Sequence, residues 1–380
     1  MTAKELKAAA KGFGADLVGI ASIDVLRDLP SEINPLSIHS GARSVIVLGR
    51  KVLRGTLRGV EQGTEMENSF PEFGFVMLED NFLAKTTYDV VIWMERQGFE
   101  AVPLFAYDVE KDAVGVPVAP GKPAPNVILQ YRLLAQAAGL GETGLNGLFL
   151  TPEFGPRQRF AMLVSDAELE ADEPFKPRIC DDCGACVKGC PLAALDAATG
   201  KPYGLLGYER NVAARDNSRC LRCRNGAIQT GEGRFKTVDR MAAACNRACI
   251  AALEERGILK EQFATPFRQG PAWGRDLLGN LSLRGLIPPD KRYLLAVLDG
   301  SKALENALLE VFPKTLIQRC LVHKERNLKG YLSTRHWSEI NRLFRRLRQS
   351  QGAEAAREAG SIRRAERIIY ATARARREGV

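Results

Sequence analysis

The chain is 380 residues long, 45% hydrophobic and 26% charged, with a formal net charge of +9. That is the make-up of an ordinary soluble globular protein with two domains or one large domain and an appendage. No apolar run approaches the ~20 residues that span a bilayer, and the opening MTAKELKAAAKGFG has neither a signal-peptide core nor a twin arginine. A cytoplasmic location is therefore expected, where clustered thiols hold metal or do redox chemistry more often than they form structural disulfides.

Taken in chain order, KELKAAAKGFG reads as a helix and ADLVGIA as a short buried strand. SVIVLG is a second buried strand, and FVMLEDNFLAKTTYDVVIWMERQG keeps helical spacing until Gly98. EAVPLFA follows as a strand, VPVAPGKPAP as a Pro-rich loop, ILQYRLLAQAAG as a helix ended by Gly139, and RFAMLVSD as another strand. This alternation favours an α/β layer fold for residues 1–172. A cysteine-rich module of short helices and loops is expected over 173–262, then a linker over 263–275. From residue 274 onward 22 Lys and Arg face 11 Asp and Glu, whereas the body is close to neutral. The basic segment suits an anionic partner such as DNA, bound weakly and without sequence preference, or is simply a solvated helical surface.

Two glycine motifs are decoys. GLGETG (139–144) fits G-x-G-x-x-G but follows a helix and precedes a strand, the reverse of a dinucleotide site. GVPVAPGKP has the wrong glycine spacing for a P-loop, and Pro123 stands where a magnesium-binding hydroxyl is needed.

CDDCGACVKGCP places Cys180, Cys183, Cys186 and Cys190 before Pro191, the spacing that carries [4Fe-4S] clusters in bacterial ferredoxins. Three thiols of such a run wrap one cubane and the fourth is directed to the other. Cys220, Cys223, Cys245 and Cys249 repeat the pattern with an insertion. Reciprocal exchange then predicts one cluster on Cys180, Cys183, Cys186 and Cys249, and another on Cys190, Cys220, Cys223 and Cys245. The alternative is two structural zinc ions on the same thiolates.

The segment GLGETGLNGLFLTPEFGPRQRFAMLVSD, with ADLVGIA near the start, resembles the epoxyqueuosine reductase and reductive dehalogenase group over residues 1–272. The resemblance implies a nitroreductase-like α/β domain that holds cobalamin, joined to a ferredoxin-like module with two clusters. It also implies an electron donor such as a ferredoxin or flavodoxin, and a small-molecule or corrinoid ligand. Gly139, Gly141, Gly144 and Asn146 would lie on the corrinoid loop, where glycine allows close backbone approach. Against the reductase pattern, Arg132 is kept, Tyr131 replaces a Glu, the expected proton-donating Asp is missing around Pro125, and Leu145 stands in place of a lysine.

YLLAVLDGSKALENALLEVFPKTLIQRCLVHKERNL is similar to the catalytic domain of mutator-type transposases, so residues 276–350 are expected to be a partial RNase H-like fragment. That family cuts DNA with Asp, Asp and Glu holding divalent metal. Asp299 matches the second Asp, and Cys320 with His323 matches a further family mark. The first Asp would fall in cysteine-rich sequence, and the Glu beyond the last residue, Val380, so the resemblance implies an inactive remnant. The alternative is a DNA-binding, transposition-related protein. Residues 351–380, Arg-rich and low in complexity, are expected to form a basic helical or disordered tail.

Overall fold

The first helix is set by its cap. Thr2 accepts the Glu5 N–H through its hydroxyl and gives its own N–H to the Glu5 carboxylate at 2.7 Å, a reciprocal capping box. Helix α1 (Ala3–Gly12) then buries Leu6 and Ala10. The computed structural model describes residues 1–106, 115–205, 207–230, 237–277, 279 and 281–283, with short pieces between 295 and 345. It divides into two compact units, Met1–Leu286 and Ile287–Val380.

In the first unit α1 leads into β1 (Leu17–Ser22), the short α2 (Pro35–Ile38), β2 (Ser44–Lys51) and α3 (Arg58–Gln62). Two π-helical stretches, Phe70–Val76 and Leu78–Leu83, feed α4 (Ala84–Glu95), and β3 (Ala101–Phe105) follows. After α5 (Tyr131–Ala137), the two-residue strands β4 (Glu142–Thr143) and β5 (Phe149–Leu150) pair, and β6 (Gln158–Ser165) closes the body. The sheet order is β1-β2-β6-β3, and every neighbour is antiparallel. Alternating helices and strands commonly mark a parallel sheet. Here β6 enters between β2 and β3, so no crossover joins adjacent strands.

The strands nevertheless read as unbroken apolar runs because both faces are covered. Val45 and Val47 face a core with Leu133, Leu134 and Ala137 of α5. Ile46 and Leu48 face the opposite core with Leu6 of α1 and Val90 and Met94 of α4. All eight residues of β6 are buried.

The cysteine-bearing stretch adds α6 (Ala185–Gly189), the hairpin of β7 (Leu195–Tyr203) and β8 (Arg210–Arg215), and α7 (Asn217–Cys220). A second hairpin, β9 (Ile228–Thr230) with β10 (Thr237–Asp239), precedes α8 (Ala244–Glu255). A last pair, β11 (Trp273–Arg275) and β12 (Leu281–Leu283), still belongs to the first unit. The Trp273 indole N–H lies 3.0 Å from the carbonyls of both Val60 and Glu61. The unit therefore runs beyond the 263–275 segment read as a linker. In the second unit β13 (Leu295–Leu298) and β14 (Leu316–Arg319) pair in parallel. Asp299, Cys320, His323 and residues 351–380 lie outside the described residues. Among the described residues no helix is long and apolar enough to cross a membrane.

Candidate metal centre and the adjoining cavity

Two short helices organise the cysteines. Cys186 lies on α6 and Cys190 is its C-cap, while Cys245 and Cys249 lie on α8. Residues four apart share one helix face, so each helix presents its pair of thiols together. The helices touch where Gly189 meets Ala248: a Cβ on Gly189 would stand 2.5 Å from that of Ala248. The absence of a side chain there lets the two cysteine pairs approach.

The thiols fall into two adjoining groups. Cys249 feels Cys186, Cys180, Cys183 and then Cys245, and Cys186 feels Cys180, Cys245 and Cys183, so Cys245 couples the two groups. Cys245 feels Cys190, Cys223 and Cys220. Burial, with those neighbours adding to it, pushes the Cys186 thiol up to about 12 and Cys249 well above its ordinary value. Burial pushes Cys245 up to about 11, against the pull of the Arg240 cation. Buried thiols of this kind stay protonated until a metal displaces the proton. Among the described residues no three His, Cys, Asp or Glu converge tightly enough to hold a single metal ion.

The Cys180 loop is held from outside by a residue that spacing alone could not flag. Glu142 is fully buried, and its carboxylate accepts the N–H groups of Arg178, Ile179 (3.1 Å) and Cys180 (2.7 Å) and a 3.0 Å bond from Arg210. Arg210 also donates to the Cys180 carbonyl at 2.6 Å. Cys180, Cys183, Cys186 and Cys249 line a small pocket together with Leu145, Asn146 and Leu253. The Leu145 N–H points at Cys180 Sγ (3.4 Å), and the buried Asn146 Nδ2 has no hydrogen-bond partner among the described residues. In the other group the Ala194 N–H and Asn225 Nδ2 approach Cys190 Sγ and Cys223 Sγ at 3.4 and 3.6 Å.

A larger cavity, about 280 Å³, lies where the sheet body meets the cysteine module. Phe75, Tyr131, Phe160 and Arg132 line it from the body, and Thr230, Asp239 and Arg240 from the segment inserted between Cys223 and Cys245. Arg159 bridges two carboxylates there, Asp239 and Glu79 (3.2 Å). Burial holds the Glu79 carboxyl above its ordinary value against the pull of Arg159, and Asp239 and Asp80 add to the rise.

The glycines of the implied corrinoid loop pack closely against the chain. Gly139, Gly141, Gly144 and Asn146 do not line this larger cavity. A Cβ on Gly141 would stand 1.9 Å from the Leu150 carbonyl oxygen, one on Gly139 2.8 Å from that of Glu173, and one on Gly144 2.8 Å from Leu150 Cδ1. The close approach that glycine permits is thus to the chain itself. Gly147, with φ +76, is the loop glycine that lines the cavity, between Arg132 and Arg240.

The chain is similar to proteins of two kinds. Residues 248–370 match the family model "Transposase, Mutator family". A tetrachloroethene reductive dehalogenase of Desulfitobacterium hafniense is 31% identical over 116 residues, 30% of this chain and 17% of that protein. An epoxyqueuosine reductase of Gloeobacter violaceus is 37% identical over 67 residues, 18% of this chain and 21% of that protein. The matches to these two thus span about a fifth of the relatives' length. The solved epoxyqueuosine reductase of Bacillus subtilis aligns with 58% of this chain and 55% of its own at 16% identity and a TM-score of 0.38. The transposase match starts inside α8 and extends past both ends of the 276–350 stretch.

Proposed function

We propose that the first unit is an iron–sulfur electron-transfer protein that delivers single electrons to a small molecule in the cavity between the sheet body and the cysteine module. The observation that carries this reading is the gathering of eight thiols around α6 and α8, four of them lining one pocket. Cys180, Cys183, Cys186 and Cys249 would hold one [4Fe-4S] cluster, and Cys190, Cys220, Cys223 and Cys245 the other. The x2-x2-x3-Pro spacing of Cys180, Cys183, Cys186 and Cys190 is that of cubane ligands and is much less usual for zinc. The unpartnered Asn146 Nδ2 and the N–H groups aimed at sulfur suit an electron-rich cluster.

Such clusters, when bound, accept and release one electron each. The residues around them supply the rest. Glu142 and Arg210 shape the Cys180 loop, α6 and α8 set the spacing between the groups, and Arg132, Arg159 and Arg240 make the cavity cationic. The donor in this reading is a ferredoxin or flavodoxin. A corrinoid is the occupant that resemblance to the two reductase groups suggests, with Gly147 as the loop glycine at the cavity wall. The test is anaerobic purification: about eight iron and eight sulfide per chain are expected. Stoichiometric zinc without iron after reconstitution would overturn the reading.

A second reading is favoured by the transposase match and concerns the basic stretch alone. Its excess of 22 Lys and Arg over 11 Asp and Glu supports sequence-independent DNA binding. Such binding weakens steeply between roughly 50 and 200 mM salt through counterion release. Cleavage is not proposed, because the position of the family's first Asp falls in cysteine-rich sequence. Metal-dependent nicking that Asp299→Ala abolishes would reverse that view.

A further inference from the structure

The stretch that carries Cys220 and Cys223 is rich in arginine. Within RDNSRCLRCR (215–224), Arg215, Arg219, Arg222 and Arg224 stand against a single acid, Asp216. Helix α7 and the turn after it gather them. Asp216 caps α7 by accepting the Arg219 N–H, and its carboxylate pairs with the Arg219 guanidinium at 3.1 Å. The Arg222 side chain folds back onto the Ser218 carbonyl at 3.1 Å. Asn225 brings a fifth arginine alongside. Its Nδ2 donates to the Arg275 carbonyl at 2.9 Å and approaches Cys223 Sγ at 3.6 Å, and its Oδ1 accepts the Arg275 N–H. Arg222, Arg224 and Arg275 are exposed, and among the described residues none of the three pairs with a carboxylate.

These arginines surround a thinly covered thiol. Cys223 is partly exposed, whereas Cys190, Cys220 and Cys245 are buried. Leu221, partly exposed between Cys220 and Arg222, packs on the same core. An apolar centre with a charged rim is the anatomy of a protein–protein contact, and a charged rim speeds the encounter with a partner of opposite sign. Cys183 of the other group is exposed too. It lies beside Asp181 and Asp182, however, which already hold Arg256 and Arg210.

We propose that the surface of Arg222, Arg224 and Arg275 around Cys223 docks the electron donor, an acidic one-electron carrier protein. The carrier is oxidised by one electron and the cluster behind Cys223 is reduced by one, with no bond made or broken. A nucleic acid is also drawn to arginines, but the thiol beneath them gives a redox protein a reason to dock there and a phosphate backbone none. The inference rests on the two-cluster reading of the preceding subsection.

The test is stopped-flow reduction of anaerobically purified full-length protein, its iron and sulfide measured first, by a reduced flavodoxin and by a reduced ferredoxin. At low salt R222E/R224E should slow reduction by the faster carrier about tenfold or more, within the range that steering supplies. The gap to wild type should close as added salt screens the charges. Reduced methyl viologen, a small cation, should reduce the variant no more slowly than wild type. K4E/K11E, which reverses as much charge on exposed lysines of α1, should match wild type with the carriers. Unchanged carrier rates in fully loaded R222E/R224E, an equal loss in K4E/K11E, or failure of both carriers to reduce loaded wild type overturns the proposal. Loss of binding to a short DNA duplex with the carrier rates intact also overturns it, and would make the patch a nucleic-acid site. Should R222E/R224E lose iron, R275E alone must slow the carriers about threefold or more, and no change there overturns the proposal. Absence of clusters from the wild type would instead sink the underlying two-cluster reading.

Discussion

The Arg247 guanidinium donates to the Glu61 carboxylate at 2.6 Å, with 1% and 5% of the two side chains exposed. This pair ties α8, which carries Cys245 and Cys249, to α3 in the sheet body. Arg268 reaches the other Glu61 oxygen at 2.6 Å, and the Trp273 ring lies 4.9 Å from the Arg247 guanidinium. Glu61→Gln would leave a buried arginine without its counter-charge, a loss on the order of 3–5 kcal/mol. Urea unfolding under anaerobic conditions measures it. A change below about 1 kcal/mol would mean that the pair is not what holds α8.

Glu142→Ala should act locally. The mutation strips the N–H groups of Arg178, Ile179 and Cys180 of their common acceptor and leaves Arg210 without one of its two carboxylate partners. The Cys180 loop should loosen, and about half of the roughly eight iron atoms should be lost, those of the first cluster. Iron analysis with EPR would show the second signal intact. Retention of both signals would mean the loop is shaped by other contacts.

The proposed crossed ligand sets predict an outcome that sequence order does not. Cys190 closes the first run in sequence but acts electrostatically on Cys220, Cys223 and Cys245. Cys190→Ser should therefore damage the second cluster, and Cys249→Ser the first. The reverse pattern would show that each cysteine run holds its own cluster.

Glu79 gives a pH dependence with a definite sign. Its folded pKa is raised, first by burial, so the folded state holds this proton more tightly than the unfolded chain does. The resulting stabilisation is complete below the ordinary carboxylate value and is lost as pH rises through the raised one. Relative to Glu79→Gln, wild type should be most stable at low pH and lose that advantage on the way to neutrality. Unfolding curves across that range test it, and a wild-type advantage that grows with pH would contradict it.

How far the sequence was readable depends on where each feature is encoded. Apolar runs made β1, β2, β3 and β6 legible, because a strand buried on both faces needs little else. The cysteine groups were legible because ligand spacing is itself chemistry. Strand order was not, since β6 intrudes between β2 and β3 through contacts no local pattern records. Glu142 was hidden inside a decoy glycine motif, with partners more than thirty residues away. The loop glycines pointed correctly to close packing, which Gly139, Gly141 and Gly144 make with Glu173 and Leu150. Arg240 was one arginine among many until the β9–β10 hairpin placed it at the cavity wall.

The β11–β12 pair decides where the chain can be cut. Its strands lie within the stretch that matches the transposase family model, yet Trp273 is anchored to α3 and Arg275 is bonded to Asn225. Truncation at 272 would strip this seal from the first unit, whereas a cut after Leu286 would spare it.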